Sequence, residues 1–276
     1  MVQFIDKRKK FRTERLMPLT DSQWQVIEKL IDNGRKRQYS LRKIVDLIRR
    51  TVRGGSQWRD LFFADSQPYC SWELVYYYYR KWQKEGTWSC VLALLVEKER
   101  KNQGRQAQAS TCAVDSQSVK IGSLINIETG LDGNKLINGR KRHIAVDVLG
   151  LPLALHVSAA NVHDGEAGKE LLWQLDKVSK RLELLRADKA YRGEFVQCAD
   201  YYNWTVEISQ KPPSEQGFIP QTGRWQVERS FGWFNFFRRL AKDYEKTVES
   251  SVAVMQIAFI DIETIHRTVS VKVRFY

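Results

Sequence analysis

The chain has 276 residues, with 45 Lys and Arg against 32 Asp and Glu and a formal net charge of +13. That length holds one large core plus a smaller domain, and the positive surplus points to a polyanionic partner bound through salt-sensitive contacts. Four separated cysteines without a Cys-x-x-Cys pair argue against a disulfide framework or a zinc site, the N-terminus lacks a signal-peptide apolar segment, and no apolar run reaches the roughly 20 residues that span a bilayer.

Residues 1–56 carry 15 Lys and Arg against 6 Asp and Glu, so the charge is concentrated at the front. Residues 1–17 are basic and aperiodic and read as an arm. Thr20-x-x-Gln23 is a capping-box pattern that opens a helix with Trp24, Ile27 and Ile31 on one face. Ser40 is placed to cap a second helix, with Leu41, Ile44, Val45 and Ile48 at helical spacing, Lys43, Arg49, Arg50 and Arg53 decorating it, and Gly54-Gly55 stopping it. Ser71 starts a third helix containing Tyr76 to Tyr79 and Trp82. Four consecutive aromatics cannot share one face, so one or two are expected at the surface. Thr87 is the expected cap of a fourth helix bearing Val91, Leu92, Leu94 and Leu95. This basic helical region, residues 1–102 with its arm, reads as a helix-turn-helix-type DNA-binding domain, with Arg49, Arg50 and Arg53 as expected DNA contacts.

A polar linker, residues 103–110, leads into an α/β pattern over residues 111–276. Residues 111–115 read as a strand, residues 117–142 as a loop with four glycines and the basic run Arg140-Lys141-Arg142, and residues 143–148 and 151–158 as a hairpin around Leu149-Gly150. A helix from about Asp164, a short strand over 184–187, a helix over 193–202 and a strand over 204–208 follow. Lys211-Pro212-Pro213 breaks the chain before a helix containing Glu228 and a final apolar helix near 248–265. This order suits a mixed sheet flanked by helices, arranged as in ribonuclease H.

Three carboxylates fall where such a sheet delivers its chemistry: Asp115 and Asp188, each ending a strand-like apolar run, and Glu228 on the late helix. Hard divalent cations take oxygen ligands, and two Mg²⁺ ions about 4 Å apart activate a nucleophile and stabilise the leaving oxygen in phosphodiester chemistry. Arg224, Glu228, Asn235 and Arg239 fall on roughly one face if the helix runs through all four. Asp147 competes for the first position but reads better as a structural acid. Asn161, His163 and Asp164 form a candidate metal or base cluster, for which a helix N-cap at Asp164 is the simpler reading.

Val114-Asp115-Ser116, Gly139-Arg140-Lys141-Arg142-His143, Asp188-Lys189-Ala190-Tyr191-Arg192-Gly193 and Arg224 through Glu245, in this order, resemble the blocks of the DDE transposases of the insertion-sequence five group, within the insertion-sequence four superfamily. Leu19-Thr20-Asp21-Ser22-Gln23-Trp24 and Gly55-Ser56-Gln57-Trp58-Arg59-Asp60-Leu61 resemble the family's front signatures. The resemblance implies a bacterial, cytoplasmic and nucleoid-associated transposase that acts as a homodimer on double-stranded DNA. Such an enzyme binds its element's terminal inverted repeats, hydrolyses phosphodiesters there and joins the 3′ ends to target DNA. It also implies Mg²⁺, with Mn²⁺ as substitute, held by Asp115, Asp188 and Glu228, and DNA gripped by Arg224, Lys120 and Arg238, with the Arg140-Lys141-Arg142 run contributing. One departure stands out: in the superfamily pattern Tyr-x₂-Arg-x₃-Glu-x₆-Lys, Gln221 and Asn235 replace the tyrosine and the lysine, leaving Arg238 or Arg239 to replace the lysine's grip. The rival readings are an inactive or domesticated DNA-binding derivative and a ribonuclease-H-like nuclease without strand transfer.

Overall fold

A computed structural model of the chain describes residues 18–32, 34–61, 69–123, 125–209 and 224–265. The basic arm and the Lys211-Pro212-Pro213 break lie outside the described residues. The fold is α/β: a helical front region followed by a mixed sheet with helices on both faces.

Helix α1 (Asp21–Ile31) starts with the expected capping box, the Thr20 side chain accepting from the Gln23 backbone and Gln23 reaching back to Thr20, and it buries Trp24, Ile27 and Ile31. Helix α2 (Leu41–Gly54) ends where Gly55 turns to φ 73°, a left-handed conformation suited to glycine. Ser40 occupies its N-cap position but makes no side-chain cap bond. Ser71 caps α3 (Trp72–Lys84), which buries Val75, Tyr79 and Trp82 and leaves Tyr76 and Tyr77 exposed, as the crowding of four tyrosines requires. Helix α4 (Thr87–Asn102) is preceded by Gly86, not capped by Thr87; φ 70° at Gly86 makes the corner between α3 and α4.

The sheet has six strands: β1 (Thr111–Lys120), β2 (Gly130–Asp132), β3 (Ile137–Asp147), β4 (Pro152–Ala159), β5 (Leu184–Ala187) and β6 (Thr205–Ile208). Central β1 lies antiparallel to β3 and parallel to β5, and β6 extends the sheet beyond β5. On the far edge of β3, β2 and β4 pair in succession. Apart from the small β2, this is the expected ribonuclease-H-like order. Helices α5 (Asp164–Val178) and α6 (Glu194–Tyr201) cover one face, packing on Cys112, Val114, Ala145 and Ala154. Helices α7 (Arg224–Phe234) and α8 (Val248–Ile265) cover the other, packing on Ala113, Ile144, Val146 and Leu155, and the same apolar cluster continues into α1 to α4.

One sequence reading needs correction. Residues 117–142 are not a loop: β1 runs to Lys120, β2 forms, and β3 begins at Ile137. Gly139 permits this, because a Cβ there would sit 1.9 Å from the Val119 carbonyl oxygen on the neighbouring strand. The basic run is therefore strand, with its side chains alternating across the sheet. Residues 103–110 are also tied down: Arg100 Nε donates to the Gln106 carbonyl at 2.9 Å and Ser179 Oγ to that of Ala109 at 2.6 Å.

Candidate active site

Parallel pairing sets the candidate site. The last paired residues of β1 and β5 are Ala113 and Arg186, and Asp115 and Asp188 lie two residues beyond each. Side chains alternate along a strand, so both aspartates lie on the face of Ala113, which α7 and α8 cover. Backbone angles at Asp188, φ −84° and ψ −177°, keep it extended, so the alternation holds to that residue. Because β5 stops at Ala187, β1 loses its parallel neighbour just before Asp115, and both carboxylates are only half-buried at this open end. One oxygen of each is fixed locally. Asp115 Oδ1 accepts from the Ser116 backbone at 2.7 Å, and Asp188 Oδ1 from the Ala190 backbone at 2.9 Å, capping the 3₁₀ turn Lys189–Tyr191.

Glu228 sits on α7, which packs on β1 and β3 through Val227, Phe231 and Phe234. Its neighbours face the core, but Glu228 itself is exposed. The two aspartates offer the hard oxygen donors a divalent cation takes. Among the described residues, however, no three His, Cys, Asp or Glu side chains converge as a metal-holding group. The two aspartates fall in adjacent register on one sheet face, and Glu228 stands on a helix laid across that face.

The expected DNA contacts separate sharply. Lys120, Arg50 and Arg238 are exposed. The side chain of Arg224 lies outside the described residues. Six others are interior groups, and the reading of them as DNA contacts is corrected by their burial. Arg49 and Arg53 both pair with Asp261 of α8. Arg140, fully buried, donates to the carbonyls of Glu245 (2.8 Å) and Ile127 (2.7 Å) and lies 3.4 Å from Asp243. Lys141 bridges Asp164 and the Val162 carbonyl, each at 2.9 Å. Arg142 donates to the Leu240 carbonyl at 2.8 Å, and burial pushes its guanidinium down to about 10. Arg239 Nε donates to Glu245 at 2.6 Å and Nη1 to the Ser56 carbonyl at 2.9 Å. Arg224, Glu228, Asn235 and Arg239 do not share a helical face, because α7 ends at Phe234 and Arg239 belongs to a separate 3₁₀ turn, Arg238–Leu240.

Asp147 is the structural acid the strand pattern suggested: it pairs with Arg100, and its Oδ1 accepts from the backbones of Leu149 (2.9 Å) and Leu151 (2.8 Å). His163, not Asp164, caps α5, its Nδ1 accepting from Gly165 at 3.2 Å, while Asp164 in the first turn takes Lys141. One neighbour of the aspartates went unnoticed in the sequence. Tyr191 is fully buried, and Asp115, Asp164 and Asp188 all act on its phenol. Its place three residues after Asp188 is the signal that was there to find.

Comparison with known proteins agrees with this topology. A family model described as "Transposase DDE domain" matches residues 106–260, and one described as "Putative transposase of IS4/5 family" matches residues 19–92. The chain is 29% identical over 129 residues to the "Putative transposase for insertion sequence element IS402" of Burkholderia cepacia; the match spans 43% of this chain and 60% of that protein. The DDE model covers more than half of the chain, including the sheet and both aspartates, and on that ground the chain belongs to the DDE transposase family.

Proposed function

We propose that this protein is the transposase of a bacterial insertion sequence, binding the element's terminal inverted repeats, hydrolysing phosphodiesters at its ends and joining the 3′ ends to target DNA. The observation that carries the reading is that Asp115 and Asp188 fall in adjacent register just beyond the parallel pairing of β1 and β5, on the face across which the Glu228 helix lies. Asp115, Asp188 and Glu228 would hold Mg²⁺, with Mn²⁺ as substitute. The bound cations supply charge neutralisation and an activated oxygen nucleophile. One oxygen of each aspartate accepts from a backbone N–H, which fixes the orientation of the carboxylate. Glu228, exposed on α7 across the same sheet face, would be the third ligand.

Exposed Lys120 and Arg238 suit contacts with DNA phosphates, and Arg50 suits phosphates along α2. Residues 1–102 would read the repeat and residues 111–276 carry the chemistry, in a homodimer that brings two ends together.

The test is strand cleavage of labelled element-end DNA with Mg²⁺, with a scrambled end and the Glu228→Gln protein as controls. Metal-dependent nicking at the end, absent with the variant, supports the reading. Tight end binding without cleavage under any divalent cation would replace it with a DNA-binding derivative. Equal cutting of both DNAs would indicate a general nuclease.

A further inference from the structure

Tyr191 closes the 3₁₀ turn that Asp188 itself caps. Its ring meets Phe195 edge-on at 5.0 Å and fills a hollow kept open by Gly168, where a Cβ would come within 2.8 Å of the ring. The hydroxyl at the end of that ring is buried and makes no hydrogen bond. The Ser116 side chain stands near enough to act on it without a well-formed hydrogen bond, and the charges around it are those of Asp115, Asp164 and Asp188. Burial first, and then these carboxylates, hold the phenol well above its ordinary range, so it remains a neutral O–H whose one proton is available to an acceptor. Asp164 carries the ion pair with Lys141, and Asp115 and Asp188 are the other carboxylates near the phenol.

A buried hydroxyl without a partner weakens a fold, and phenylalanine would fill the same hollow without that cost. The hydroxyl therefore calls for a role outside packing. We propose that Tyr191 is a positioning residue of the carboxylate centre, its hydroxyl donating to the Asp115 and Asp188 pair when that pair holds a divalent cation. The inference rests on the reading of these two aspartates as cation ligands. It follows the pattern in which groups behind a metal's ligands fix their orientation and set affinity.

The experiment titrates Mn²⁺ alone into the full-length protein, following free Mn²⁺ by electron paramagnetic resonance, for the native chain, Tyr191→Phe and Asp115→Asn. Melting temperatures without metal are recorded in parallel. The expected result is a melting temperature in Tyr191→Phe equal to or above the native one, with Mn²⁺ affinity weakened about 10-fold. Native Mn²⁺ affinity in Tyr191→Phe would overturn the inference while leaving the aspartate site standing, provided Asp115→Asn loses binding. A clear drop in melting temperature would overturn it too, by showing a structural hydroxyl. Native protein that binds no Mn²⁺, or binds it equally well as Asp115→Asn, would remove both the inference and the site reading beneath it.

Discussion

Asp261, near the end of α8, holds Arg49 of α2: its Oδ1 accepts from Arg49 Nε at 2.8 Å and lies 2.6 Å from Nη2, while Oδ2 takes Arg53. All three side chains are buried. The basic helix at the front is thereby tied to the last helix of the α/β fold, and the arginines that look most like a DNA-reading set are instead the clamp between the two regions.

The clamp predicts a large effect from a small change. In Asp261→Asn the two guanidiniums lose their shared charge inside the protein, with Asp46, 2.6 Å from Arg49, as a remaining carboxylate. Breaking a buried pair from one side costs about 3–5 kcal/mol. Urea unfolding should show a loss of about 3 kcal/mol; a loss below about 1 kcal/mol would mean that α2 and α8 are held by packing alone.

Burial divides the basic residues into two experimental classes. Lys120→Ala and Arg238→Ala should leave stability within about 0.5 kcal/mol, weaken end binding, and each lower the salt slope of binding by about one. Arg142→Ala should instead cost about 3 kcal/mol in urea unfolding, because the carbonyl of Leu240 loses a charged donor inside the protein. Should Arg142→Ala fold normally and bind DNA poorly, the assignment of that side chain to the interior is wrong.

Much of this was legible in the sequence, and the failures share a cause. Thr20 and Gln23, the hairpin at Leu149-Gly150, the helix starts at Asp21, Leu41 and Trp72, and the two aspartates after apolar runs all carry local signals of spacing or composition. Strand β3 was missed over residues 137–142 because Arg140, Lys141 and Arg142 read as solvated charge. Their heads bond to carbonyls and carboxylates 12 to more than 100 residues away in sequence, such as Val162, Leu240 and Glu245, which no local pattern reveals. The same holds for Arg49 and Asp261, separated by 212 positions. Residue type located the carboxylates; which cations are buried was decided by tertiary partners.

Acid should weaken the fold through two histidines stacked across β3 and β4, 5.8 Å apart. His143 is pushed down to about 3, by burial first and by His156 and Lys141 besides, with Asp164 opposing; burial also lowers His156. An unfolded histidine titrates near 6.5, so below that pH the unfolded chain takes up a proton the folded one refuses. Stability is therefore lost as pH falls from about 6.5 toward about 3, approaching about 1.4 kcal/mol per pH unit for His143 alone. Glu245, raised by burial, acts in the opposite direction. Comparing the native chain with His143→Gln at matched pH removes that contribution. Urea midpoints at pH 7.5, 6 and 5 should fall less steeply in the variant; parallel slopes would refute the assignment to His143.

Glu228 offers the cleanest separation of chemistry from folding. It is exposed on α7, while Val227, Ser230, Phe231 and Phe234 carry that helix's packing and Ser230 Oγ donates to the Gly150 carbonyl at 2.8 Å. Glu228→Gln removes a charge and no apolar contact, so its unfolding free energy should match the native value within about 0.5 kcal/mol. End binding should persist, since the substitution adds no negative charge beside the phosphates. Cleavage should fall by at least about 100-fold, more than the 10–100-fold typical of groups standing one layer behind a metal's ligands. A loss of less than about 10-fold would show that Asp115 and Asp188 act without Glu228, and the third donor would then have to be sought elsewhere on the face that α7 covers.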